Sequence, residues 1–510
     1  MATPSEKLAS SLEILKELQS KGNAAIKGSD LTQTHRERLI ANGFIKSVLK
    51  GWYIPTKPDD KKGDSTSWYA SFWEFSKAYL NDRFSDNWVL SPEQSIAIHS
   101  GNWSIPKQLL VRSPEANNNS TDLLFGTSIF DIKSKLPDDT AIESINGIRI
   151  LSLPHALIQC SPSLFTRSSI DARTALALMR DASQVLDPLL TGGHSVIAGR
   201  LSGAFRNIGN TRIADDIVST MRSAGYDIRE QDPFDQQTPS AFNLREKSPY
   251  VNRISMMWSD MREIVLEYFP EPPGLPNDKE KYIKSVEDIF VADAYNSLSI
   301  EGYMVTEELI ERVRSGSWNP EQNEEDLQQR NAMAARGYWQ AFQLVKASIK
   351  KVLSGKNAGQ ILDADHGGWY RELFAPSVAA GILKPSDLAG YRNGPVYIKN
   401  SQHVPLNRDA LRDAMPAFFE LLEEEPEASV RTLLGHFIFV YIHPYMDGNG
   451  RMARFLMNTM LASGGYPWTI IEVKERKVYM EALEEASVRH NIKDFAEFVG
   501  NKVKEQMMKN

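Results

Sequence analysis

The stretch HFIFVYIHPYMDGNGRMARFLMNTMLASGG, residues 436–465, decides the reading of this chain. An apolar run ends at His443-Pro444, and Asp447-Gly448-Asn449-Gly450 follows with turn chemistry. Glycine accepts backbone angles that a Cβ forbids, and asparagine tolerates the left-handed region. Arg451 then opens a helix whose Met452, Phe455, Leu456 and Met460 recur at core-facing spacing, and Gly464-Gly465 closes it. A glycine-rich turn at a helix N-terminus presents backbone N–H groups at the positive end of the helix dipole, which is a site for an anion. Arg451 and Arg454 lie three apart and project from nearly one face. Cations at that end oppose the dipole unless an anion is bound, so the combination asks for a polyphosphate. Asp447, at the lip of the turn, suits Mg²⁺, which takes one or two carboxylates together with phosphate oxygens. His443 is a candidate general base, since an imidazole with a pKa of about 6.5 is suited to neutral pH.

This string resembles the signature of the Fic family, H-x-F-x-(D/E)-(G/A)-N-(G/K)-R-x-x-R. His443, Asp447, Gly448, Asn449, Gly450, Arg451 and Arg454 all match, and Tyr445 stands where the family usually has Phe. That aromatic change is expected to pack in the core and leave catalysis intact. The resemblance covers residues 285–505. It implies a mostly α-helical Fic fold with a β-hairpin flap. It also implies transfer of AMP from ATP to a Ser, Thr or Tyr hydroxyl of a protein, with release of pyrophosphate. In that chemistry His443 would take the proton from the target hydroxyl, and the oxygen would attack the α-phosphate in line. Mg²⁺ on Asp447 would neutralise the α- and β-phosphates. The Gly448–Gly450 backbone and the Asn449 side chain would form the anion hole, and Arg451 would bind the β/γ end. Such a reaction rests on positioning and electrostatics. The signature alone leaves open transfer of UMP or phosphate, and removal of AMP.

Three further features bear on the resemblance. GYRNGPVYIKNSQHVP (390–405) reads as a hairpin, with Val396-Tyr397-Ile398 and His403-Val404 as short strands across Lys399–Gln402. The family has a flap here, whose edge accepts the target by strand addition. Tyr479 lies where the family often has an adenine-contacting aromatic, and a core role fits it equally. SLSIEG (297–302) fits the family's inhibitory motif, (S/T)-x-x-x-E-(G/N), through Ser297, Glu301 and Gly302. The resemblance implies that Glu301 pairs with Arg454 and occupies the place of the ATP γ-phosphate, an Arg–carboxylate contact that is strong when desolvated.

The rest of the chain is read outward from there. Residues 5–21 form an amphipathic helix through Leu8, Leu12, Ile14, Leu15 and Leu18, stopped at Gly22. A short segment at Lys27–Leu31, a helix from Gln33 to Ala41, and two strands turning at Lys50-Gly51 follow. That order is the order of a winged helix-turn-helix over 1–62, a segment with a net charge of +4 in an acidic chain. Gln33, Thr34, Arg36 and Arg38 on the helix, with Lys46 and Lys50 on the wing, are the candidate DNA contacts; packing against protein is the other use of such a module. Residues 63–230 read as mixed α/β. Together with the first module they resemble bacterial winged-helix, antitoxin-type regulators of abortive-infection type IV systems, through GWYIP, VLSPEQSIAIHSGNW and GIRILSLPHALIQ. His99 and His155 lie in apolar neighbourhoods, as structural histidines do. Residues 231–284, with two Pro-containing stretches, read as a linker and connecting helix, and ELLEEEPEAS (420–429) as a solvated helix end broken at Pro426.

Composition agrees with a multidomain α+β protein. The chain has 510 residues, 42% hydrophobic and 24% charged, with a net charge of −7. At about 150 residues per domain that is three or four domains. One cysteine, Cys160, excludes an intrachain disulfide and a Cys-rich zinc site. The first residues lack the pattern of a secretory signal, and no apolar run is long enough for a membrane span, so a cytoplasmic location is expected. The sequence thus points to an autoinhibited protein adenylyltransferase using ATP and Mg²⁺. It would act on a protein hydroxyl or on itself, could bind DNA through the N-terminal module, and could self-associate. The alternatives are a DNA-binding regulator whose Fic domain senses nucleotide, and a Fic hydrolase that removes AMP.

Overall fold

The computed structural model describes residues 3–20, 24–60, 63–235, 248–316 and 330–509. The predicted stop at Gly22 lies outside the described residues. The chain divides into two compact units. Unit 1 comprises residues 1–249 and 397–404, and unit 2 comprises 250–396 and 405–510.

Unit 1 begins with the helix Pro4–Ser20, strand β1 (Ile26–Lys27), a tight turn at Gly28–Asp30 and the helix Gln33–Ala41. Thr32 caps that helix by accepting the His35 N–H. The hairpin β2 (Ile45–Leu49) and β3 (Trp52–Pro55) turns at Gly51, whose φ of 82° is open to glycine. Strand order is β1-β3-β2, all antiparallel. Leu15, Ile26, Leu31, Leu39 and Ile45 form the small core beneath. The elements follow the order read from the sequence, with β1 added. Trp52 and Ile54 share a second core with Trp68, Phe72 and Phe75 of the helix Thr66–Phe84, so residues up to 62 are not a free-standing module.

The second sheet contains β4 (Val89–Leu90), β5 (Gln108–Ser113), β6 (Ser120–Asp122) and β7 (Ser128–Lys133), in the order β4-β5-β7-β6 with β5 and β7 parallel. A hairpin of β8 (Ile142–Ile145) and β9 (Ile148–Leu151) turns at Asn146-Gly147, both with positive φ, as a tight hairpin turn demands. Short helices complete the unit. The stretch ARTALALMRDASQVLDPLL forms parts of two helices, Ser169–Leu178 and Ser183–Gly192, because Met179 turns extended between them. His99 bonds to the Leu151 carbonyl and His155 to Ser152 Oγ.

The expected flap corrects a prediction. Residues 396–404 contain no paired strand. Their polar groups bond elsewhere within unit 1. Ile105 N–H donates to the Gln402 carbonyl (2.9 Å), Ser65 N–H to Asn400 Oδ1 (3.0 Å), and Asn400 N–H to Thr66 Oγ1 (3.2 Å). Val404 packs against the aromatic core.

Unit 2 is helical. Its first helix, Pro249–Tyr268, falls in the stretch read as linker and connecting helix, and it is built into the unit: Arg253 Nε donates to the Tyr441 hydroxyl (2.7 Å), and Trp258 and Arg262 donate to Glu425. Glu425 is therefore buried, where the charge run was expected to be solvated. The helix Ala428–Ile442 is apolar around its whole circumference, as a central helix must be, and packs beside Asn449–Ser463. Gly435 allows this approach, since a Cβ there would lie 3.0 Å from Leu422 and Leu456. No helix among the described residues is long and apolar enough to cross a membrane.

Candidate active site

The site lies in unit 2, between the end of the helix Ala428–Ile442 and the start of Asn449–Ser463. The first helix ends at His443, which adopts the left-handed conformation (φ 54°, ψ 60°). The imidazole Nδ1 donates to the Val440 carbonyl at 3.2 Å, which leaves Nε2 as a bare acceptor. Burial pulls the His443 pKa down to about 4, so the ring is neutral at pH 7.

The turn is held from inside. Asn449 Oδ1 accepts the Tyr445 N–H (2.9 Å), and its Nδ2 donates to the Tyr445 carbonyl (2.8 Å). Both ends of the amide thereby shape the loop, and one N–H of Nδ2 is left over from these two bonds. Tyr445 packs in the core as expected, stacked on Tyr370 at 3.8 Å. Gly448 caps the helix with φ 82°, and a Cβ there would strike the Phe374 ring at 2.8 Å. The Gly448 N–H donates to Asp447 Oδ1 (2.6 Å), leaving the following N–H groups of the first turn to face an anion. The Asp447 side chain is largely exposed, and its Oδ2 lies 3.3 Å from Arg451.

A carboxylate of the same chain sits on this anion site. The helix Phe290–Ile300 carries Ser297 and ends at Glu301, with Gly302 turning the chain at φ 85°. Glu301 Oε1 is 2.6 Å from an Arg454 terminal nitrogen, and a Cβ on Gly450 would lie 2.3 Å from the same oxygen. Arg454 also donates to Ser297 Oγ (2.8 Å) and to the Ser297 carbonyl (3.0 Å). Burial opposes the Arg454 charge, and the Glu301 carboxylate more than offsets it, holding its pKa above the usual arginine range.

Tyr303, Phe374 and Arg392 were invisible in the sequence reading. Arg451, 1% exposed, stacks between Tyr303 and Phe374, with ring centroids 5.1 and 4.9 Å away. Its Nε has no hydrogen-bond partner among the described residues. Tyr303 directly follows the Glu301-Gly302 pair, and that adjacency was the available signal. Arg392 donates to the His443 carbonyl. Tyr479 is 1% exposed, its hydroxyl bonded to His436 Nε2 at 2.9 Å and its ring packed on Phe495 and Phe498. It presents no face to an adenine here.

The candidate DNA contacts lie in unit 1. Arg36 donates to the Gly28 carbonyl (2.9 Å), Gln33 to Glu37 (2.8 Å), and Arg38 to the Lys7 carbonyl (2.7 Å). Lys46 lies over the Phe125 ring at 4.6 Å, while Thr34 and Lys50 are exposed. Arg36 and Lys46 are thus engaged within the unit.

A neutral histidine thus stands beside a helix N-terminus that draws in a carboxylate and a buried arginine, an arrangement with room in its chemistry for an anion next to a proton acceptor. Residues 368–461, within unit 2, match the Fic/DOC family. The chain is similar to a protein adenylyltransferase Fic of Nematostella vectensis, 39% identical over 123 residues, which are 23% of this chain and 28% of that protein. A protein of the same name from Drosophila willistoni is 34% identical over 125 residues, 24% of each chain. The chain thus spans about a quarter of the length of the curated relatives it matches. Among solved structures, it is similar to Fic-1 (residues 134–508) of C. elegans, with 16% identity and a TM-score of 0.38 over 67% of this chain and 91% of that one.

Proposed function

We propose that unit 2 transfers AMP from ATP to a hydroxyl of a protein side chain, releasing pyrophosphate, and that the segment bearing Glu301 restrains it. The observation that carries this reading is the Glu301 carboxylate lying on Gly450 and Arg454, where a terminal phosphate would bind. The relatives named adenylyltransferases support the group transferred.

In this reading the target hydroxyl gives its proton to His443 Nε2, for which a neutral, Nδ1-anchored imidazole is suited. The hydroxyl oxygen bonds to the α-phosphorus as the bond to pyrophosphate breaks. The N–H groups of the Asn449–Ser463 first turn and Arg454 hold the phosphate chain once Glu301 has left. The exposed Asp447 carboxylate fits Mg²⁺, an ion that needs only one or two protein carboxylates when phosphate oxygens complete its shell. Bound there, Mg²⁺ would supply charge neutralisation between phosphates. Target residues on this chain itself and on other proteins are both accommodated.

The test compares ATP labelled at the α- or γ-phosphate, using the Glu301→Gly chain with cell lysate. Protein-bound label from α-labelled ATP alone, lost in Glu301→Gly/His443→Ala, is the expected result. Label from γ-labelled ATP would overturn AMP transfer in favour of phosphate transfer. Absence of label from either would overturn the activity.

A further inference from the structure

Arg392 stands in the sequence GYRNG, 4% exposed, with no carboxylate in ion-pair range among the described residues. A buried guanidinium without a counter-ion is costly unless its donors are met. Here they are met by carbonyls. Nε donates to the His443 carbonyl (2.8 Å), one terminal nitrogen to Gly394 (3.1 Å), and the other to Leu406 and, at 3.5 Å, Ile442. Its own backbone N–H donates to the Pro444 carbonyl (2.9 Å). Ile442 and His443 carry carbonyls left over at the end of the Ala428–Ile442 helix, where the dipole favours a cation. Gly394 and Leu406 stand before and after the segment 397–404.

We propose that Arg392 is the positioning residue of this site: it fixes the left-handed backbone of His443 and clasps that turn to both arms of the loop spanning 396–405. Only a planar fork with five donors reaches carbonyls on three sides at once; a lysine ammonium is a single point of contact. Arg392 touches no reacting atom and acts through His443. The assignment of His443 as base rests on the AMP-transfer reading above.

The test uses the full chain carrying Glu301→Gly, alone and with Arg392→Gln or Arg392→Lys. Arg392→Gln is expected to lower kcat by about 100-fold, the scale of a misplaced catalytic group, with KM for ATP unchanged. Arg392→Lys is expected to lower kcat by about tenfold, since the charge stays while the fork is lost. The second readout, the NMR titration of ¹³C-labelled histidine, does not need turnover, and the His443 line is assigned by its loss in His443→Ala. The charged groups acting on His443 are Arg392, Glu301 and Asp447; Glu301 is absent throughout this series and Asp447 is constant. The His443 midpoint should therefore rise in Arg392→Gln and stay in place in Arg392→Lys, while the line broadens in both. Parental kcat in both variants, or a sharp His443 line at the parental midpoint in Arg392→Gln, would overturn the proposal. If the parent does not label, the AMP-transfer reading fails and the titration still decides Arg392. If Arg392→Gln does not fold, Arg392→Lys decides, and parental kcat with a sharp line there would overturn the role.

Discussion

Replacing Glu301 by glycine removes the one carboxylate that pairs with Arg454 among the described residues, and the consequence can be worked from the contact. The separation is 2.6 Å, with the arginine side chain 5% and the glutamate side chain 30% exposed. A charge-assisted hydrogen bond in such a setting contributes about 1.5–3 kcal/mol. At about 1.4 kcal/mol per factor of ten, ATP competing for the same cation is held back roughly 10- to 100-fold. Glu301→Gly should raise the initial rate of labelling from α-labelled ATP by that factor. It should also destabilise the apo-protein by about 3 kcal/mol, the low end for a broken buried pair, because Ser297 still accepts two Arg454 bonds. ATP should then raise the melting temperature of the variant more than that of the wild type, since a phosphate replaces the missing partner. Glu301→Gln, which keeps the volume and drops the charge, should gain less. Equal labelling by Glu301→Gly and wild type, together with equal ATP stabilisation, would refute the competition argument.

Other substitutions probe neighbouring parts of the site. Because burial holds His443 neutral down to about pH 4, kcat/KM of the Glu301→Gly chain should stay level as pH falls through the ordinary imidazole range and drop only near the lower value; a break near pH 6.5 (about the free value) would refute this assignment. Gly450→Ala places a methyl on the Glu301 oxygen, so it should break the Arg454 pair without activating, because the methyl fills the phosphate site; calorimetry should show weakened ATP binding even with Glu301→Gly. Tyr479→Phe leaves His436 Nε2 without its hydrogen-bond partner, at a cost of about 1–3 kcal/mol in urea unfolding, while KM for ATP stays unchanged; a raised KM would restore the adenine contact. Asn449→Ala removes both bonds to Tyr445 and should lower kcat of the Glu301→Gly chain more than its ATP affinity.

What could be read from the sequence was local. The turn at Asp447–Gly450 and the helix after it are written in adjacent residues, and so are the helix Gln33–Ala41 and the β2–β3 hairpin. What escaped depends on partners far along the chain. The segment Val396–Val404 reads as alternating strands, but its backbone partners are Ser65, Thr66 and Ile105, and the Ser65–Asn400 bond spans 335 residues. Glu425 reads as solvent-facing until Trp258 and Arg262 arrive from a stretch that looks like linker. The closure of the Asn449 amide on Tyr445 escaped as well, because it follows from loop geometry and not from residue type. Arg392 left no signal, since a lone arginine in a polar stretch ordinarily faces water.

Three buried arginines, Arg392, Arg451 and Arg454, surround the turn between His443 and Gly450, and each offsets its desolvation differently. Arg392 is met by carbonyls of the backbone it braces, so its partners cannot leave without unmaking the turn. Arg451 is covered by the faces of Tyr303 and Phe374, with Asp447 on one edge. Arg454 is met by the carboxylate of Glu301 from another segment, a partner that a phosphate can replace charge for charge. Tyr303 and Glu301 belong to one short segment, tied to its helix by the Tyr303 N–H bond to the Leu298 carbonyl. Loss of the Glu301 side chain therefore frees Arg454 while Arg451 stays covered, whereas movement of the whole segment uncovers both cations together. A signal that displaces the segment would give a polyphosphate two arginines where the point substitution gives it one, so the natural release of this site should exceed what Glu301→Gly achieves.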